Sequence, residues 1–247
     1  MGTGITIIVA LTMFVTSFLS GLFGMAGGVV LIGVLLYLLP VQTAMVVHGI
    51  TQLASNVWRV LVWRKHIRYD IFLVYSAGSI AALLAWSVTL YVPDKAVSFL
   101  MLGVTPFLMR FVPQDIRPDP ESRLQSVLYG FGCTGLILLT GVAGPMLDTF
   151  FLGGNLDRRV IMATKSMCQV LGHTVKLVYF AALVAEPGTV DVLTASLAIA
   201  MAAAGTGVAK PVVERLSDKV YRVWANRIVV TLSAYYAIYG LYLLTFP

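Results

Sequence analysis

The chain has 247 residues, of which 59% are hydrophobic and only 11% are charged. Soluble domains have roughly a quarter of their residues charged, so this composition excludes a soluble protein and predicts an integral membrane protein. The formal net charge is +6, but the basic residues are scattered over predicted helix ends and short loops. That distribution indicates membrane topology rather than binding of nucleic acid.

Several apolar runs reach the ~20 residues that a helix needs to cross the bilayer. The alternating ten-residue segments of a membrane β-barrel are absent. We therefore predict an all-α, polytopic helical membrane protein. Its segments lie near 4–22, 28–39, 43–63, 70–91 and 94–111, then near 123–140, 145–155, 160–184, 190–209 and 221–245. The first segment lacks the basic start and cleavage site of a signal peptide, so we expect a retained helix.

Two glycine-rich breaks interrupt these segments, "FGMAGG" with Gly24, Gly27 and Gly28, and "GVAGP" with Gly141 and Gly144. The segment after each break has about 12 residues, too few to span the bilayer, which predicts broken or re-entrant hairpins. A helix that starts inside the protein offers free N–H groups to an anion. Close packing of small residues between helices is the alternative explanation.

A polar stripe marks the segment 43–63. His48, Gln52, Asn56 and Arg59 fall within an arc of ~80° when each residue advances by about 100°. Charged and imidazole groups inside a span are costly and usually mark a binding site or a pathway. Two alternatives remain open, interfacial anchoring of His48 and Arg59 and interhelical hydrogen bonding by the amides.

The segment 160–184 repeats this stripe. A shift of 117 residues places Lys165, Gln169, His173 and Lys176 on the four positions of the first stripe, and it also superimposes the two breaks. Interfacial anchoring again remains open for Lys165 and Lys176. Internal duplication of this kind is common in transporters. Arginine, lysine, histidine and amides without a carboxylate on the same face favour an oxyanion as ligand.

The distribution of basic residues predicts how the halves sit in the membrane. The loop 63–68 is strongly basic and is expected in the cytoplasm, whereas its counterpart 185–191 has acids only. The halves, 1–113 and 123–247, thus form two inverted structural repeats joined by a cytoplasmic linker, 114–122. Both termini are then expected on the outer side of the bacterial inner membrane.

Asp148 is an acid within an apolar run, where it can pair with a basic stripe residue or carry protons, and we favour ion pairing. No catalytic motif, metal-ligand spacing or nucleotide-binding loop is found, so we expect neither an enzyme nor a cofactor. Cys133 and Cys168 lie in apolar stretches, which does not suggest a disulfide framework.

The stretch "SGLFGMAGGVVLIGVLLYLLPVQTAMVVHGITQLASNVW" resembles the start of a sulfite exporter TauE/SafE family protein, also called a TSUP permease. The resemblance covers essentially the whole chain in length, duplication and helix order. It implies transport of sulfite, sulfoacetate, sulfolactate, thiosulfate or similar anions across the bacterial inner membrane.

We therefore predict a secondary transporter that carries a small anion by alternating access. Its expected partners are this anion and the lipid bilayer, without nucleic acid, and association into a homodimer stays open. An anion channel is the first alternative, followed by a divalent-metal permease or a membrane scaffold. The predicted substrate site comprises the glycines of both breaks, namely Gly24, Gly27, Gly28, Gly141 and Gly144, and the two stripes, namely His48, Gln52, Asn56, Arg59, Lys165, Gln169, His173 and Lys176.

Overall fold

The computed structural model describes residues 3–23, 26–112, 118–152, 154–184, 190–213 and 218–246. Within these ranges the chain forms α-helices and no strand, which confirms the predicted all-helical class. The helices are α1 (Thr3–Phe23), α2 (Ala26–Leu38), α3 (Val41–Trp63), α4 (Tyr69–Thr89), α5 (Lys95–Arg110), α6 (Arg123–Thr140), α7 (Gly144–Leu152), α8 (Arg158–Val178), α9 (Val192–Val213) and α10 (Asp218–Thr245).

In the part of the chain that the structure describes, four helices are long and apolar enough to cross a membrane, over Gly4–Leu22, Tyr69–Thr89, Val192–Ala209 and Asn226–Thr245. The helices that follow the breaks are shorter, since α2 has 13 residues and α7 has nine. At 1.5 Å per residue they extend for about 20 and 14 Å, so neither crosses ~30 Å of hydrocarbon. The helix α8 continues into one turn of π-helix, Tyr179–Leu183, in which the backbone hydrogen bonds span five residues instead of four.

The short helix α2 lies in the interior of the molecule. Its sequence, "AGGVVLIGVLLYL", is apolar on all sides, and a helix of this kind is stable only when most of its surface is covered. Leu31, Ile32, Leu35 and Leu36 are completely buried. They belong to the larger of two hydrophobic clusters, together with residues of α3, α5 and α10.

The helices α3 and α8 pack against each other in antiparallel directions. Near the start of α3, Gln42 donates a hydrogen bond to the Val184 carbonyl (3.0 Å), while beyond its end the Arg68 N–H donates to Thr164 Oγ1 (3.0 Å). Consequently the basic loop after α3 and the start of α8 lie at the same end of the molecule. We call this the basic end; it carries Arg64, Lys65, Arg68, Arg158 and Arg159. The described part of the linker is there too, because Glu121 forms an ion pair with Arg68 at 2.9 Å.

Three other helix pairs are in backbone contact through glycines. Gly205 of α9 faces the backbone of Phe14 and Phe18 in α1, and Gly78 of α4 faces the Val127 carbonyl in α6. The third pair is α5 with α10, where Gly240 approaches Leu100. In each pair one helix comes from residues 1–113 and the other from residues 123–247.

Substitution of Gly78 by alanine is expected to destabilise the protein by about 1–3 kcal/mol, the usual cost of overpacking. The new Cβ would overlap the Val127 carbonyl and lie 2.8 Å from the Phe131 nitrogen, and neither backbone atom can rotate away. The measurement is thermal unfolding in detergent. Gly207→Ala is the control, because a Cβ at Gly207 meets nothing within 4 Å. Equal unfolding temperatures for the two variants would contradict this account of helix packing.

Candidate functional site

The two polar stripes face each other along the antiparallel contact of α3 and α8. His48 lies beside Lys176 at one end of the contact, and the ring centroids of His48 and His173 are 5.6 Å apart. His48 and Lys176 have no exposed surface, and His173 is 4% exposed. Anchoring of His48 and Lys176 at the membrane surface, which the sequence left open, is therefore wrong.

His48 and Lys176 form a continuous chain of hydrogen bonds between the two breaks. The Gly28 carbonyl can only accept, so His48 Nε2, at 3.0 Å, carries the proton and donates it. His48 Nδ1 in the neutral ring is then an acceptor, and it receives a hydrogen bond from Lys176 Nζ at 2.7 Å. Lys176 also donates to the Gly141 carbonyl at 3.1 Å. One side chain from each half thus ties together the backbone of both breaks.

The conformation of Gly141 makes this last bond available. Gly141 ends α6 with φ of +85°, in the left-handed region that glycine adopts without strain. A Cβ at this position would also lie 2.7 Å from Ile32 Cγ1, so an alanine would clash as well as strain the backbone. The local sequence therefore requires glycine where the chain turns from α6 towards α7.

A small cavity of about 20 Å³ adjoins this hydrogen-bonded chain. That volume holds about one water molecule. The cavity is lined by Gly28, Val29, Gln52, Tyr75, Ile137, Val142, Ala143, Gly144, Leu147, Cys168, Gln169 and His173. Both breaks and both stripes contribute to its wall.

Three buried polar atoms of residues that line the cavity have no hydrogen-bond partner among the described residues. They are Gln52 Nε2, His173 Nδ1 and Gln169 Oε1. Gln52 is only 5% exposed, so its amide is largely removed from bulk water. An unsatisfied buried polar group costs about 1–3 kcal/mol, and such groups usually await a ligand or an ordered water.

Asn56 and Arg59 continue the first stripe towards the basic end, where they are bonded to protein. Asn56 Nδ2 donates to the Gln52 carbonyl at 2.8 Å, within the same helix. Arg59 donates to Asn56 Oδ1 at 3.4 Å and to the Ser20 carbonyl at 3.2 Å. The guanidinium of Arg59 thus joins α3 to the end of α1, and neither residue lines the cavity in this conformation.

Lys165 forms an ion pair with Asp148, which joins α8 to the short helix α7. The side chains of Lys165 and Asp148 are 17% and 28% exposed, so the pair lies partly within the protein. The favoured prediction for Asp148, pairing with a basic stripe residue, agrees with this contact. Lys165 is therefore neutralised by a carboxylate, in contrast to Lys176.

The glycines of the first break have different environments. Gly24 lies outside the described residues. Gly27 packs against α1, because a Cβ there would overlap the Thr16 carbonyl and the Ser20 hydroxyl. Gly28 lines the cavity next to the Gln52 amide, and Gly144, in the second break, lines it as the first residue of α7.

Sequence reasoning missed two polar residues of the cavity wall, Tyr75 and Cys168. Cys168 immediately precedes Gln169 on α8, so its position beside the second stripe was a usable signal. Tyr75 belongs to α4, whose sequence has no polar stripe, and only the packing of α4 against α8 brings it to the site. Both Cys168 and the nearby Cys133 are buried free thiols.

The ionisable residues of the two stripes at this site, His48, His173 and Lys176, are basic. Among the described residues, no carboxylate is hydrogen-bonded to His48, His173 or Lys176, and the carboxylate on the facing short helix already binds Lys165. Because a positive charge in a low-dielectric interior is costly without a partner, a positive lysine here would be stabilised by a bound anion. The available donors, an ammonium, an imidazole and an amide, are those that bind oxyanions through charge-assisted hydrogen bonds.

Comparison with protein-family models gives a match to sulfite exporter TauE/SafE over residues 9–236. Comparison with curated proteins and with solved structures gives no match. The family match spans both breaks, both stripes and all helices from α1 to most of α10, and it implies a membrane transporter of sulfite-type anions. The chain belongs to the sulfite exporter TauE/SafE family.

Proposed function

We propose that this protein is a secondary transporter that carries small sulfur-containing oxyanions or organosulfonates by alternating access. The observation that carries the proposal is the pair of buried nitrogens without a partner among the described residues, Gln52 Nε2 and His173 Nδ1, beside a fully buried Lys176. An anion between α3 and α8 would receive hydrogen bonds from these groups. Sulfite, thiosulfate, sulfoacetate and sulfolactate all present the tetrahedral or pyramidal oxyanion group that this arrangement suits.

The proposal of alternating access is supported by the closed state of the site. A cavity of about 20 Å³ holds about one water molecule and is too small for any of these anions, which are larger than water. The helices must therefore separate on one side to admit the anion and on the other to release it. A permanently open channel would contain a continuous path at the same position.

We further propose that residues 1–113 and 123–247 are inverted repeats. The helices α1 and α6 occupy matching places in the two halves, as do α3 and α8, and the members of each pair run in opposite directions between the two ends of the molecule. The contacts also correspond, since α1 packs on α9 as α6 packs on α4. If the two halves are repeats, superimposing one half on the other places the pair α1–α9 on the pair α6–α4, as the contacts require.

In the membrane, we place the basic end in the cytoplasm, with both termini on the outer side of the bacterial inner membrane. Cysteines introduced at Lys65 and at Val192, which is 82% exposed, should then react from opposite sides with an impermeant thiol reagent in intact cells. We expect rapid labelling at Val192 only. The native Cys133 and Cys168 are buried and serve as an internal background control. Equal labelling at both introduced positions would refute the inverted arrangement.

Whether the protein is a carrier or a channel is tested by measuring efflux from proteoliposomes with and without external substrate. If the protein is a carrier, external thiosulfate should accelerate the efflux of labelled internal thiosulfate, because a loaded site reorients faster than an empty one. Empty liposomes and external chloride at the same concentration are the controls. Large single-channel currents without acceleration of efflux would instead identify an anion channel.

A further inference from the structure

We propose that the hydrogen-bonded pair of Lys176 and His48 is a proton-binding site, which takes up one proton when the anion binds, so that anion and proton cross the membrane together. This inference rests on the proposed transport function. It adds a second substrate, the proton, and assigns it to a lysine and a histidine in place of the carboxylate of Asp148.

The number of N–H groups on Lys176 is the first argument. A neutral amine has two N–H groups, and Lys176 has two acceptors among the described residues, His48 Nδ1 at 2.7 Å and the Gly141 carbonyl at 3.1 Å. An ammonium has three N–H groups, and the third would have no acceptor in this closed conformation. The hydrogen bonds present in the closed site therefore match the neutral form of the lysine.

The groups that face the pair are the second argument. From α8, the His173 ring lies 5.6 Å from the His48 ring. Arg59 of α3 carries a further positive charge in the same stripe, and α4 contributes the Tyr75 hydroxyl to the cavity wall. The thiol of Cys168 completes the titratable groups of the wall. Among the described residues, a proton on Lys176 would thus have no carboxylate hydrogen-bonded to it.

The carboxylate that could compensate this charge is engaged elsewhere. Asp148, on α7, is paired with Lys165, which lies three helical turns from Lys176 along α8. Lys165 therefore has a carboxylate partner, whereas Lys176 has only neutral acceptors among the described residues. Of the two lysines in the second stripe, Lys176 is the one whose protonation should depend on what occupies the cavity.

Binding of an anion changes this balance. An anion between α3 and α8 offers both the missing acceptor and the missing negative charge, so it favours the ammonium form of Lys176. The proton comes from water on the side that is open, binds to the lone pair of Nζ and forms a third N–H that points to the anion. On the opposite side, departure of the anion leaves the ammonium without compensation, and the proton returns to water.

The coupling between anion binding and proton binding predicts the direction in which anion affinity changes with pH. If each bound anion brings one proton, its apparent dissociation constant rises about tenfold per pH unit as the solution becomes more alkaline. The dependence disappears below the pH at which the empty site is already protonated. A proton gradient directed into the cell would consequently drive anion uptake, and an anion gradient directed outwards would carry protons out.

The experiment uses purified protein in detergent and thiosulfate as the probe, because thiosulfate is fully ionised at neutral pH and releases no protons of its own. Weakly buffered protein at about pH 8 is titrated with thiosulfate while an indicator dye reports proton uptake. Affinity is measured in parallel between about pH 6 and 9. We expect about one proton per bound anion and a tenfold loss of affinity per pH unit in the alkaline range.

Two variants locate the proton. Lys176→Arg carries a permanent charge, so it should bind thiosulfate without proton uptake and with no dependence on pH. If arginine does not fit, Lys176→Gln should bind more weakly and also without uptake. Asp148→Asn, which removes the other candidate for proton binding, should retain the uptake per bound anion.

The outcomes separate this inference from the proposed function. Binding to the unchanged protein without proton uptake would overturn the inference and leave anion transport intact. Uptake that persists in Lys176→Arg and is lost in Asp148→Asn would assign the proton to the Asp148–Lys165 pair. If neither thiosulfate nor sulfite, sulfoacetate and sulfolactate bind, the proposed function itself is refuted, and the inference with it.

Discussion

Replacement of Lys176 by methionine is expected to weaken anion binding at least a hundredfold. Lys176 is the fully buried basic residue of the proposed site, has only neutral protein partners among the described residues, and would carry a positive charge when the anion is bound. Removing one partner of a buried, charge-assisted contact costs about 2–5 kcal/mol, and ~2.7 kcal/mol corresponds to a factor of a hundred. Isothermal titration of the purified variant with thiosulfate measures the effect.

Lys65→Met is the matched control, since Lys65 is exposed at the basic end. It removes the same charge from the chain and should leave affinity within about twofold, because exposed charges are well screened at physiological salt. Lys176→Gln provides a check on folding, as it keeps an N–H for His48 or Gly141. Unchanged affinity in a correctly folded Lys176→Met protein would rule out the site between α3 and α8.

His173→Leu and Gln52→Leu are expected to lower affinity tenfold or more while the folded protein becomes no less stable. Each residue has a buried nitrogen without a partner, so leucine removes an unsatisfied group from the interior. Such a replacement is close to neutral or stabilising. Each lost hydrogen bond to a charged ligand, by contrast, is worth about 1.5–3 kcal/mol of binding free energy.

Gln42→Leu is the control for this pair of variants. Gln42 lies on the same helix, but its amide donates to the Val184 carbonyl at 3.0 Å. Leucine there should reduce the free energy of unfolding by about 1 kcal/mol and leave affinity unchanged. If His173→Leu and Gln52→Leu behave like Gln42→Leu, losing stability and keeping affinity, both residues serve packing rather than binding.

Much of the helical framework could be predicted from the sequence, because apolar runs and glycine or proline breaks determine where a membrane helix begins and ends. The predicted segment 123–140 coincides with α6, and 43–63 differs from α3 by two residues at its start. The largest difference concerns the predicted segment 160–184. There α8 gives way at Tyr179 to a π-helical turn, which apolar periodicity does not reveal.

The two polar stripes could also be predicted from the sequence, but not which of their residues contact each other. Duplication aligned His48 with Lys165, whereas in the structure His48 is bonded to Lys176. An alignment relates equivalent positions, while antiparallel packing brings the start of one helix to the end of the other. The carbonyls of Gly28 and Gly141 also accept hydrogen bonds from His48 and Lys176, which the sequence did not indicate.

The glycine contacts between helices of different halves indicate which parts of the protein are expected to move as rigid bodies. Backbone packed directly on backbone leaves no side chains to repack, so α9 is expected to travel with α1, and α4 with α6. A hinge at the chain midpoint would have to break these two contacts and also the contact of α5 with α10. We expect relative movement between α3 and α8 instead, where a hydrogen bond between two side chains, His48 and Lys176, joins the helices. The surface of motion would then differ from the division of the chain into halves, and it would contain the proposed anion.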